Sequence, residues 1–200
     1  MEYTICNPMN LEYRFSQTSR LGKCTVHREG ADPSIILYKN RYYLFPSMSA
    51  GFWHSDNLLD WTYKINTQLP YYDYAPDIRE IDNHLYFTAS RRKENCPIYR
   101  VKDPLTDNFE LVSQPFPFWD PHLFQDDDGK VYFYWGCSAS TPIRGIQMDR
   151  DTLKPIGDET SLISGNKEQH GWERVGENND PKQIKGIFSK IIQLITKGNP

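Results

Sequence analysis

An all-β fold of the β-propeller type, with about three blades in 200 residues, is what this sequence predicts. Three observations carry it. An aspartate, a short apolar run, a polar turn and an aromatic run recur in "DPSIILYKNRYYLF" (32–45), "PDIREIDNHLYFTAS" (76–90) and "DPHLFQDDDGKVYFYWG" (120–136). The leading aspartates, Asp32, Asp77 and Asp120, stand 45 and 43 residues apart, a step typical of structural repeats. Each copy carries hairpin chemistry, and helical periodicity is absent from residues 30 to 165. Units of this size with three or four short antiparallel strands match propeller blades, whose sheets radiate around a channel. A sandwich also accepts such strands, but it gives no reason for an aspartate at the head of every unit.

The elements follow in order. Residues 1–27 form an N-terminal segment. Blade one (28–74) has "SIILY", the turn "KN", the aromatic "YYLF", then "GFWHS" and the polar "DNLLDW". Blade two (75–117) repeats this as "IREI", "DN", "LYFT", "PIYRV" and "KDPLTDNF". Blade three (118–165) has "HLFQ", "DDDG", "VYFYWG", "IRGIQM" and "DRDTLKPI". Asn- and Asp-Gly-containing turns between such runs mark hairpins. Residues 166–200 break the period. A polar loop runs over 166–186, and a divergent tail follows, irregular or a short helix, with apolar residues at 187, 188, 191, 192, 194 and 195 and Gly198 as its stop.

Composition narrows the function. A net charge of −3 with scattered Lys and Arg excludes a nucleic-acid partner, which needs a basic face against phosphates. No stretch approaches the roughly 18 apolar residues of a membrane span, and "MEYTICNPMNLEYRF" lacks the pattern of a secretory leader, so a cytoplasmic protein without a membrane partner is expected. Cys6, Cys24, Cys96 and Cys137 are widely spaced without a CxxC pair, which reads as buried thiols in a reducing compartment. "DDDG" (126–129) lacks the later glutamate of a calcium loop and reads as a plain turn, so no local motif places a metal or a cofactor.

Equivalent positions of successive blades lie around one axis, so Asp32, Asp77 and Asp120 are expected at one channel mouth. Converging carboxylates are what glycoside hydrolysis requires: one takes a proton from water and another donates one to the leaving oxygen. A nearby ionised third raises the acid's pKa by repulsion. Asp before Pro also serves as a simple turn. Phe52, Trp53 and Trp119 are candidate walls of a sugar pocket, with inter-blade core as the alternative. Arg91 is a candidate to bind sugar hydroxyls or hold a carboxylate, with a surface salt bridge as the alternative.

The segments "ADPSIILYKNRYYLFPS", "HSDNLLDW", "YAPDIREIDNHLYFTAS" and "FWDPHLFQDDDGKVYFYWG" resemble the first three blades of glycoside hydrolase family 43, over roughly residues 28 to 181. That resemblance implies a five-bladed propeller acting on xylosides and arabinosides with inversion. It puts Asp32 in the place of the catalytic base and Asp120 in that of the aspartate that adjusts the acid's pKa. Asp77 takes the place of a binding or structural residue beside the sugar. The family's general acid is a glutamate in a Glu-Gly motif opening the fourth blade, and no Glu-Gly occurs in this sequence. Glu173 and Glu177 lie in a stretch similar to a loop that precedes the acid in one branch of the family. The expectation is an incomplete glycosidase for small oligosaccharides or aryl glycosides, able to self-associate through open blade faces. The alternatives are a non-catalytic carbohydrate-binding fragment and a degenerate gene product.

Overall fold

Lys39-Asn40 and Asp82-Asn83 both lie in the left-handed region, with φ of 48° and 63° and of 50° and 58°. Two positive φ values in succession give a two-residue turn whose twist matches the strands it joins, and Asn and Asp tolerate that conformation best. The third hairpin is longer: Asp126 accepts from the Gly129 N–H at 2.9 Å, with Gly129 at φ 82°. The sequence "DDDG" is thus a turn.

In this computed structural model the described residues are 11, 16–20, 23–27, 31–69, 74–91, 94–137, 141–166 and 168–170, with backbone alone for 16–20, 23–27 and 74. Strands β1 (Ser16–Arg20) and β2 (Lys23–His27) pair as a hairpin. Blade one is β3 (Ser34–Tyr38), β4 (Arg41–Phe45), β5 (Gly51–Ser55) and β6 (Thr62–Ile65). Blade two is β7 (Tyr74–Ile81), β8 (His84–Ser90), β9 (Ile98–Val101) and β10 (Glu110–Ser113). Blade three is β11 (His122–Gln125), β12 (Val131–Trp135), β13 (Ile143–Met148) and β14 (Pro155–Ile163). Each blade is a four-stranded antiparallel meander in chain order. The described residues are all-β, three blades of a propeller.

The innermost strands lie side by side, β7 against both β3 and β11. Alternation along each strand then feeds two cores. Tyr38, Tyr43, Phe45 and Phe52 of blade one meet Ile78, Leu85 and Phe87 of blade two. Ile81, Tyr86 and Ile98 of blade two meet Leu123, Phe133 and Met148 of blade three. Each such side chain, fully buried, contributes about 1.5–3 kcal/mol. Blade two is therefore covered on both faces. On blade one, Ile35 and Leu37 point away from blade two and remain 49% and 52% exposed, and on blade three Phe124, beside Tyr134, remains 41% exposed.

One expectation needs correction. The prolines Pro33, Pro76 and Pro121 set the register, and each follows a residue at positive φ: Asp32 (49°), Ala75 (46°) and Asp120 (47°). The same frame recurs where the Ser47 N–H donates to Ala31 O at 3.0 Å and the Gly136 N–H to Trp119 O at 2.8 Å. Ala75, not Asp77, is the counterpart of Asp32 and Asp120, and Asp77 is the counterpart of Ser34 and His122. Aligning on the aspartate displaced the second repeat by two residues, which in a strand keeps the face but changes the depth. Cys96 is buried as expected, whereas Cys137 is exposed, because it follows the end of β12 rather than sitting within a sheet. No helix of the described residues is long and apolar enough to cross a membrane. The tail at 187–200, Glu173, Glu177 and Cys6 lie outside the described residues.

Candidate active site

Asp32 and Asp120 begin the innermost strands of blades one and three, and both residues are exposed. Their left-handed conformation before Pro is uncommon for a side chain with a Cβ and stores local strain, which is tolerated here at the start of all three inner strands. The two carboxylates interact. Partial desolvation and then the charge of Asp32 push Asp120 above the ordinary carboxylate range, against a hydrogen bond from Cys137 that lowers it. The Cys137 thiol is itself pushed up, first by desolvation and then by the Asp120 charge. Asp32 is held from the other side, where Ser47 Oγ donates to its Oδ2 at 2.9 Å.

Asp77 is 4% exposed, and both of its oxygens are used within the protein. Oδ2 accepts the Leu123 N–H of blade three at 2.8 Å, and Oδ1 pairs with Arg79 Nη2 at 2.8 Å. Arg79 Nη2 also stands 3.2 Å from His122 Nδ1, while Arg79 Nε is buried without a hydrogen-bond partner among the described residues. Asp77 therefore joins blade to blade. Ser34 does the same one blade earlier, accepting the Ile78 N–H at 3.2 Å. A second series runs beside it: Ser47 Oγ accepts the Ala75 N–H at 2.8 Å, and Ser90 Oγ accepts the Asp120 N–H at 2.9 Å.

The aromatic candidates divide. Phe52 is fully buried and stacks on Phe45 with centroids 4.8 Å apart, so it belongs to the core between blades one and two. Trp53, 1% exposed, lies on the opposite face of β5, 4.7 Å from the Tyr63 ring. Neither ring offers a face to a sugar, because adjacent residues of a packed strand are covered on opposite sides. Trp119 is different. It is 40% exposed and directly precedes Asp120. Arg91 follows β8 and ion-pairs with the exposed Glu94 at 3.5 Å rather than with any of the three aspartates.

Ser47, Ser90 and Cys137 escaped the sequence reading. Their signal was weak but present: each closely follows or ends an aromatic second strand, the position that returns to the start of an inner strand. A roomy cleft of about 650 Å³ lies at the turn end of blade two, lined by His84, Arg100, Lys102, Asp107 and Glu110. It offers no aromatic platform and sits at the opposite end of β7 from the aspartates.

Among known proteins, the family described as Glycosyl hydrolases family 43 matches residues 23–177. No curated protein matches the chain. A thermostable family-43 glycoside hydrolase is 22% identical with a TM-score of 0.60, the match covering 86% of this chain and 60% of that one. A family-43 endo-arabinanase from Bacillus licheniformis is 23% identical at 0.58, covering 68% and 57%. An α-L-arabinofuranosidase from Clostridium thermocellum is 20% identical at 0.55, covering 68% and 56%. The chain thus spans about 60% of the length of the first of these structures. Since the matched span takes in all three blades and both aspartate-led strands, the chain belongs to glycosyl hydrolases family 43.

Proposed function

We propose that this chain carries the base side of an inverting glycosidase site for xylosides and arabinosides, in the breakdown of hemicellulose-derived oligosaccharides. The observation that carries the reading is the coupling between Asp32 and Asp120 at equivalent starts of blades one and three. Asp32 takes the proton from the attacking water, and Asp120, already sharing its field, sets the protonation of an acid opposite. Inversion needs base and acid about 6.5–9.5 Å apart, and the acid belongs to sequence beyond the described residues. Trp119 supplies an apolar ring beside the sugar. Two arabinanases and an α-L-arabinofuranosidase among the similar structures support the sugar class. The Cys96 and Cys137 thiols, neither of them in a disulfide, fit a reducing cytoplasm. Exposed apolar side chains on the outer faces of blades one and three fit self-association.

Aryl β-xylosides and α-arabinofuranosides test this. Loss of a general acid costs about 10²–10⁴-fold, so the purified chain turns over 4-nitrophenyl glycosides slowly at best, and dinitrophenyl glycosides, which leave without a proton, suffer less. Asp32→Asn removes the residual rate, and proton NMR finds the inverted anomer. Residual hydrolysis unchanged by Asp32→Asn would remove the base from Asp32. Normal turnover abolished by Glu173→Gln or Glu177→Gln would place the acid within this chain.

A further inference from the structure

We infer that Ser47 is a positioning residue for Asp32, orienting the base through a hydroxyl whose proton has a single place to go. Ser47 is 1% exposed and held at three points. Its backbone N–H donates to Ala31 O at 3.0 Å. Its Oγ accepts the N–H of Ala75, the residue that starts the inner strand of blade two, at 2.8 Å. The same Oγ lies 2.9 Å from Asp32 Oδ2. A hydroxyl has one proton and two lone pairs, whereas a carboxylate only accepts. With Ala75 donating to Oγ, the Ser47 proton points at Oδ2, and among the described residues nothing occupies Oδ1. Ser47 thus assigns the two oxygens different work: Oδ2 is the anchor and Oδ1 is the oxygen that meets water.

Because Ala75 belongs to the next blade, the carboxylate keeps this orientation only while blade two is docked. Asp32 stands ahead of the paired residues of β3 with a left-handed backbone, and among the described residues its side-chain hydrogen bond is the one from Ser47, so the orientation depends on Ser47. Ser34 serves as the contrast. It lies two residues from Asp32 and makes a hydrogen bond across the same interface, to the Ile78 N–H, without touching the aspartate.

This inference rests on the reading of Asp32 as the base, and its test needs no turnover. Asp120 reports on Asp32, since the charge of Asp32 is one of the causes that raise it. Carboxyl carbon NMR follows the titration of Asp120 in the full chain and in Ser47→Ala, Ser47→Thr and Ser34→Ala. With Ser47 removed, the Asp32 carboxylate swings out toward solvent, its repulsion weakens, and the Asp120 midpoint falls toward the ordinary value. Ser47→Thr, which keeps the hydroxyl, restores it, and Ser34→Ala leaves it in place. An unchanged Asp120 midpoint in Ser47→Ala, or an equal fall in Ser34→Ala, overturns the inference. Should Ser47→Ala fail to fold, Ser47→Gly removes the hydroxyl in the same way, and an Asp120 midpoint left as in the unsubstituted chain overturns it equally. A chain that shows the fall yet keeps its residual hydrolysis unchanged in Asp32→Asn loses the proposed function while Ser47 keeps its hold on Asp32.

Discussion

Asp120 keeps its proton longer than an ordinary aspartate, through desolvation first and the neighbouring Asp32 charge second. With the folded pKa above the unfolded one, the native state binds more protons across that window, so stability falls as pH rises through it. The ionised carboxylate therefore costs stability at pH 7. Asp120→Asn should raise the Tm at pH 7 and leave it nearly unchanged near pH 2.5, where the carboxyl is protonated in both states. A Tm that does not move at pH 7 contradicts the raised pKa. Cys137 gives an independent reading, since the Asp120 charge pushes its thiol up. Asp120→Asn should speed its alkylation by iodoacetamide at pH 8, read by peptide mapping apart from the other cysteines. Asp32 and Asp120 were legible in the sequence because Asp-Pro marks a turn into a strand. Cys137 was not, because an antiparallel hairpin brings it to Asp120. Phe52 and Trp53 were misleading for a similar reason: the sequence shows two adjacent aromatics, and packing alone decides that both faces are covered.

Blades are joined by hydrogen bonds that backbone N–H groups donate to side-chain oxygens, and their energetics follow from burial. Asp77→Ala orphans the Leu123 N–H and strips Arg79 of its partner, which should cost about 2–4 kcal/mol in urea unfolding. Asp77→Ser should recover part of the loss, since Ser34 performs the same task one blade earlier. Recovery no better than alanine would show that the Arg79 pair, not the Leu123 amide, carries the effect. Ala75 is the one strand-starting residue with a Cβ and no polar group to stabilise its left-handed backbone. Relief of about 1–2 kcal/mol of strain, offset by about 0.4–1 kcal/mol of unfolded-chain entropy, makes Ala75→Gly stabilising by up to about 1.6 kcal/mol. The two-residue turns were readable from "KN" and "DN". The register of blade two was not, because "APD" offers an aspartate two positions past the one that geometry makes equivalent, and only the φ values distinguish them.

At the scale of the whole molecule, two cores hold three blades, and the outer faces of blades one and three carry exposed Ile35, Leu37, Phe124 and Leu162. Repeat proteins draw much of their stability from interfaces between neighbours, so such faces are adhesive. Sedimentation should show concentration-dependent association, weakened by Phe124→Lys together with Leu37→Lys. A monomer at every concentration would mean that these faces are covered within one chain. The architecture was legible because the repeat step, the turns and the aromatic strands agree with one another.

The joints at the starts of the inner strands also have a direction. Ser34 and Ser47 of blade one receive amides of blade two, and Asp77 and Ser90 of blade two receive amides of blade three. In all four the acceptor lies earlier in the chain and the donor later. A ribosome makes chains in that order, so every receiving group exists before the strand that binds it emerges. The first residues of each new inner strand, 75–78 and then 120–123, are the ones that engage. Blade two can be captured on a finished blade one while the rest of it is still being synthesised, and blade three on blade two, so assembly proceeds as a templated, one-way addition rather than a search among three complete sheets.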